Sequence, residues 1–193
     1  TSDYLDHILN FYDRGTIDPH YITSLLRGIQ EVFNDKEKIK SISELHITNL
    51  LDLFEKLKLS NKENPFTRGN NDSYLSDWIS LHRVMPDIIN LIINNTNYKK
   101  NRDKIIDIID YLFTIKDCPS PDEDDYDNGL HFLAINSVRG RAYDAFVNFT
   151  HKDGKTLAED VKKIFVHTLD DASLAMRFQI GRNLIFFYQN DKS

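Results

Sequence analysis

A single cysteine, Cys118, excludes an intramolecular disulfide and any CxxC metal or redox site, which suits a reducing cytoplasm. No apolar run approaches the roughly 20 residues that cross a bilayer. The chain does not open on a basic segment followed by an apolar one, so neither a membrane span nor a secretory leader is expected. Gly-x-Ser-x-Gly, Walker A and dinucleotide fingerprints are all missing. Seven histidines are present, but no pair stands at helical metal-ligand spacing beside a carboxylate or cysteine. No catalytic, cofactor-binding or metal-ligating residue is therefore assigned, and no cofactor is expected. Acids outnumber bases, 30 to 24, for a net charge of −6. That balance argues against holding nucleic acid or an anionic membrane through overall charge, although a local basic strip stays open.

Glycine and proline are sparse as well, 7 and 5 in 193 residues, which leaves room for long helices. The chain is long enough to bury a real core. Its organising stretch is Leu130 to Phe149, LHFLAINSVRGRAYDAFVNF, and ASLAMRFQIGRNLIFFY echoes it 38 residues on. Superposing Val138 and Arg139 on Met176 and Arg177 also superposes Ala142 on Ile180 and Phe146 on Leu184, an apolar pattern at helical spacing. A unit of about 40 residues recurring in a helical sequence is the period at which paired helices stack into HEAT-type solenoids. The expected fold is all-α, a HEAT-like right-handed α-solenoid of about eight helices. Residues 1–193 form one helical-repeat domain in this reading, with divergent repeats over 1–116 and two recognisable repeat helices plus an intervening helix over 130–190. Opening at Thr1 without Met and stopping soon after a strong helix, the chain is expected to be a fragment of a larger protein.

In chain order, Tyr4, Leu5, Ile8, Leu9 and Tyr12 mark a short first helix that Gly15 can end. Asp18 and Pro19 suit the start of a second, with Ile22, Leu25, Leu26, Ile29 and Phe33 as its stripe; Gly28 either weakens it or admits a close neighbour. Ser41 and Glu44 form a capping box ahead of a third helix reaching Leu59. Residues 60–72 read as a loop, and the next helical pattern meets Pro86, which predicts a kink or two short helices. Asn101 is placed as the cap of a helix carrying Ile105, Ile109, Leu112 and Phe113. Asp117 to Gly129 is an acidic, proline-bearing solvated loop. Its Asp124, Asn128 and Gly129 fit an EF-hand-like pattern, but Tyr126 and Ile135 stand where oxygen ligands belong, so calcium is not expected. After the organising helix come one with Ala158, Val161, Ile164, Phe165 and Leu169, and then the echo helix, capped by Asp170 or Asp171.

The most informative charges are Arg139, Arg141, Arg177 and Arg182. Arg139 and Arg177 directly follow core positions Val138 and Met176, where a guanidinium can reach a carboxylate such as Asp170 or Asp171 and hold repeats together. Arg141 and Arg182 lie off the apolar stripe and, with Asn136, are the candidates for contacting a partner protein. Lys99, Lys100, Arg102 and Lys104, with Arg68 and Arg83, would serve an alternative nucleic-acid-contacting module.

The segment CPSPDEDDYDNGLHFLAINSVRGRAYDAFVNF, followed by DDASLAMRFQIGRNLIFFYQND, resembles the C-terminal helical repeats of bacterial STAND-type NTPases of antiphage defence. The resemblance rests on Ala134, Ile135, Asn136, Ser137, Val138, Arg139 and Gly140, then on Ser173, Leu174, Ala175, Met176, Arg177, Gly181 and Asp191, and covers about two-fifths of the chain. It implies a cytoplasmic sensor region that binds a phage protein and transmits binding to an NTPase and effector elsewhere in a longer polypeptide. A stand-alone helical adaptor is the other non-catalytic reading.

Overall fold

The computed structural model describes residues 7–8, 10–11, 14, 19–60, 78–117, 129–154 and 158–191. Among these residues the regular structure is entirely helical. It comprises α1 (Pro19–Asn34), α2 (Glu44–Ser60), α3 (Trp78–Asn95), α4 (Arg102–Phe113), α5 (Leu130–Ile135), α6 (Val138–Asp153), α7 (Glu159–Leu169) and α8 (Leu174–Asp191), with 3-10 turns at Lys38–Ser41 and Tyr98–Asn101. Two compact units divide the chain, Thr1–Ile108 and Ile109–Ser193, and the division falls within α4.

In the first unit α1 begins at Pro19, whose missing N–H costs nothing at a first helical position. Ile22, Leu26 and Phe33 are buried, and α1 packs along α3. No neighbour comes near Gly28, so it weakens the helix rather than admitting a contact. The start of α2 differs from the Ser41–Glu44 box, because Ser41 closes the preceding 3-10 turn and Ser43 is the capping residue. Ser43 Oγ accepts from the His46 amide at 3.4 Å, and His46 Nδ1 accepts from the Ser43 amide at 3.1 Å, so an imidazole takes the glutamate's part in the reciprocal box. α3 continues through Pro86 as one helix and buries Leu81, Met85, Ile88, Ile89 and Ile92. Asn101 stands directly before α4, and its buried Oδ1 accepts from the Thr48 hydroxyl at 3.3 Å, tying the start of α4 to α2.

Further bonds extend that tie. Lys100 reaches Glu44 at 2.7 Å, Lys104 reaches Asp52, and Lys58 reaches Asp107. The partners advance together along both helices, so α2 and α4 run in the same direction.

In the second unit the expected single helix from Leu130 to Phe149 is broken at Asn136 and Ser137 into α5 and α6. Ser137 adopts an extended backbone and caps α6, accepting from the Gly140 amide at 2.9 Å while donating to the Ala134 carbonyl at 2.8 Å. The cap of α8 is Ser173, whose Oγ accepts from the Met176 amide at 3.4 Å; Asp171 stands two residues earlier, accepting from the Ser173 amide at 2.8 Å. Between α6 and α8, Tyr143 donates to the Ile180 carbonyl at 3.4 Å, Gln179 donates to Asp144 at 2.6 Å, and the rings of Phe146 and Phe187 stack at 5.6 Å. Arg139 in the first turn of α6 also reaches Asp171 just before α8, at 2.6 Å, and Phe146 about two turns on meets Phe187, so α6 and α8 run in the same general direction, with α7 between them in the chain.

The first helix expected around Tyr4 to Tyr12 falls largely outside the described residues. So do the loops over 61–72 and 118–128, which include Arg68, Cys118 and the EF-hand-like positions 124, 126 and 128.

Candidate functional site

The residues carrying the sequence motif converge on the corner between α5 and α6. Ala134 supplies the carbonyl that receives Ser137, and Asn136 Nδ2 returns to the Phe132 carbonyl at 2.9 Å. Arg141 Nε donates to the Ile135 carbonyl at 3.0 Å, occupying the open end of α5. Asp117 Oδ2 accepts from the Val138 amide at 2.8 Å and so serves the first turn of α6 from a distant segment. Gly140 is fully enclosed here. A Cβ at that position would lie 2.5 Å from the Ala134 carbonyl carbon and closer still to its oxygen.

Two arginines meet at the turn before α8. Arg139 is buried and its guanidinium holds Asp171 at 2.6 Å, while Arg177, on the surface, donates through Nε to the Asp171 carbonyl at 2.9 Å. One residue thus takes a side-chain bond from the first repeat position and a main-chain bond from the second. Arg139 Nε itself has no hydrogen-bond partner, which subtracts from what the buried pair contributes. Of the apolar echo, Val138 and Met176 are both buried and so are Ala142 and Ile180, but the third position parts: Phe146 is 0% exposed and Leu184 47%. The echo therefore holds for two turns, and the α8 surface then turns outward. Tyr143 is buried beneath this region, and burial first, then the Asp144 charge, pushes its phenol well above the usual range, so it stays protonated as a donor.

The three partner-contact candidates separate. Asn136 and Arg141 serve the α5–α6 corner, whereas Arg182 is exposed and meets His131 of α5 at 3.0 Å, beside the Phe178 ring. The basic cluster in the first unit faces carboxylates: Lys100 holds Glu44, Lys104 holds Asp52, and Arg102 lies 3.3 Å from Asp103. Among the described residues no group of His, Cys, Asp or Glu could hold a metal ion, and no helix is long and apolar enough to cross a membrane.

The second unit also carries an apolar groove of about 670 Å³ between α7 and α8. Its floor is Phe165 stacked on Phe187, with centroids 4.0 Å apart at 15°. Its walls are Val166 and Leu169 from α7 and Leu184, Ile185 and Tyr188 from α8, of which Val166 and Tyr188 are each 60% exposed and Ile185 69%. Isolated exposed apolar side chains need no explanation, but contiguous ones lining a groove mark an interaction surface. Periodicity placed Phe165, Leu169 and Leu184 on apolar stripes but did not single out Val166, Ile185 or Tyr188, because it assigns each helix one stripe. The available signal was that LAMRFQIGRNLIFFY is apolar on both sides of the helix.

No family model, curated protein or solved structure matches this chain.

Proposed function

We propose that this chain is a non-catalytic, protein-binding scaffold, a segment of a HEAT-like right-handed solenoid that serves as the ligand-sensing region of a bacterial antiphage STAND-type NTPase. The observation that carries the protein-binding reading is the exposed apolar groove of α7 and α8, whose five wall residues are each at least 44% exposed. Within each unit alternate helices run in the same general direction, α2 with α4 and α6 with α8, which supports a stacked-repeat architecture. The sensor assignment leans on the resemblance of the 134–140 and 173–177 segments, and on a role for those residues in shaping the corner that sets one helix against the next.

The test pairs two assays on the 193-residue chain. A labelled oligonucleotide titrated at about 50 mM salt is expected to show no binding, and ATP or GTP no turnover. A salt-dependent shift would replace this reading with a nucleic-acid module using Lys99, Lys100, Arg102 and Lys104, and turnover would replace it with an enzyme. A Walker A motif upstream in the same reading frame is the expected companion of the sensor role. A reading frame holding only these residues would leave a stand-alone helical adaptor.

A further inference from the structure

We infer that the α7–α8 groove seats one amphipathic α-helix of a partner protein, with acidic residues flanking its apolar stripe; this rests on the protein-binding reading and names the partner's chemistry. The occupant's shape follows from spacing. On α8 the outward apolar line runs Leu174, Phe178, Gly181, Ile185 and Tyr188, in steps of four, three, four and three residues; its last three members line the groove, and Phe178 continues the line beside His131 of α5. That is the 3.5-residue rhythm by which one helix presents a seam to another. At the centre of the line Gly181 has nothing within 4 Å of where a Cβ would stand, which leaves a hole for an incoming side chain. The line spans about 21 Å at the helical rise, or four turns of an occupant.

The other side of α8 already buries Ala175, Met176, Ile180 and Phe187. A helix apolar on both faces is completed by cover on both.

Charge decides which helix. Among the described residues Lys162 is the charged residue lining the groove, at its edge beside Glu159, with which it pairs at 3.5 Å. Between Leu174 and Tyr188 the helix carries Arg177 and Arg182 and no acid, in a chain whose net charge is −6. Carboxylates flanking the occupant's stripe are drawn to this positive rim. A second copy of this chain would instead bring Lys162, Arg177 and Arg182 against themselves.

The probe is a pair of fluorescein-labelled 18-residue helical peptides with leucine at i, i+3, i+4 and i+7 positions in an alanine background. One carries glutamate at the flanking positions and the other lysine. Anisotropy with the full chain is expected to show the glutamate peptide binding at least about tenfold tighter, with the gap shrinking as salt rises. Ile185→Lys should abolish binding while leaving the circular dichroism and melting of the chain intact, since that side chain is exposed. Lys162→Glu should narrow or invert the preference. Equal affinity for the two peptides, binding of neither, or binding unchanged in Ile185→Lys overturns the proposal. So does a dimer in light scattering that Ile185→Lys dissociates, which would assign the groove to a second copy. None of these outcomes touches the oligonucleotide and turnover assays, so the partner's chemistry can fail while the protein-binding reading stands.

Discussion

Gly140 and Gly181 each precede an arginine within a helix, but their surroundings in space are opposite. A methyl group at Gly140 would overlap the Ala134 backbone, which has no rotamer by which to yield, so Gly140→Ala is expected to cost about 3 kcal/mol or more. Gly181 faces open space, and Gly181→Ala should add up to about 1 kcal/mol through helix propensity. Thermal melting of the two variants checks both signs. Arg139→Ala would leave the Asp171 carboxylate buried without its cation and should lower stability by about 3 kcal/mol in urea unfolding. Glu55 gives a pH signature. Burial, only partly offset by Lys58, raises its carboxyl above the ordinary glutamate value, and its Oε1 has no hydrogen-bond partner. A folded-state value above the unfolded one means that Glu55 favours the fold only while protonated; this contribution is complete below the unfolded value and is lost as pH rises through the folded one. The stability of Glu55→Gln relative to the native chain should therefore rise between about pH 4 and about pH 7, as measured by urea midpoints. At this scale the sequence marked Arg139 and Gly140 within the motif but not the reason for the glycine, which lies in a backbone approach that no spacing rule encodes.

Helix existence was legible wherever apolar residues recur at helical spacing, as in α1, α3, α7 and α8. Helix starts were less so, because several short polar residues compete for each cap. Ser41 and Asp170 or Asp171 had suitable side chains, yet Ser43 and Ser173 stand at the starts of α2 and α8. The choice between Ser41 and Ser43 is measurable. Ser43→Ala should cost about 1 kcal/mol by removing the hydroxyl that accepts from the His46 amide, and Ser41→Ala should stay within about 0.5 kcal/mol, as read by chemical denaturation. The break before α6 escaped periodicity for a different reason. Apolar residues continue in phase from Leu130 to Phe149, so only the two hydrogen bonds of Ser137 reveal that the backbone leaves the helix there.

On the scale of the whole molecule, the all-helical class was readable from composition and period, whereas the groove was not. A stripe rule finds the face a helix buries within its own chain; it is blind to a second apolar face such as that of α8, whose exposed Ile185 and Tyr188 become visible only once the inner face is filled. The two parallel helix pairs also differ in what binds them. α2 and α4 share solvent-accessible ion pairs beside the part-buried Thr48–Asn101 bond, whereas α6 and α8 are joined by stacked rings and enclosed donors. Dissolved ions screen the first kind of bond within about 10 Å at 0.1 M and barely reach the second. Ionic strength is therefore a reagent selective for one end of the polypeptide. Raising sodium chloride should quicken amide deuteration over residues 44–60 and leave residues 138–153 at their original rates; uniform quickening would show that the two pairs open as one.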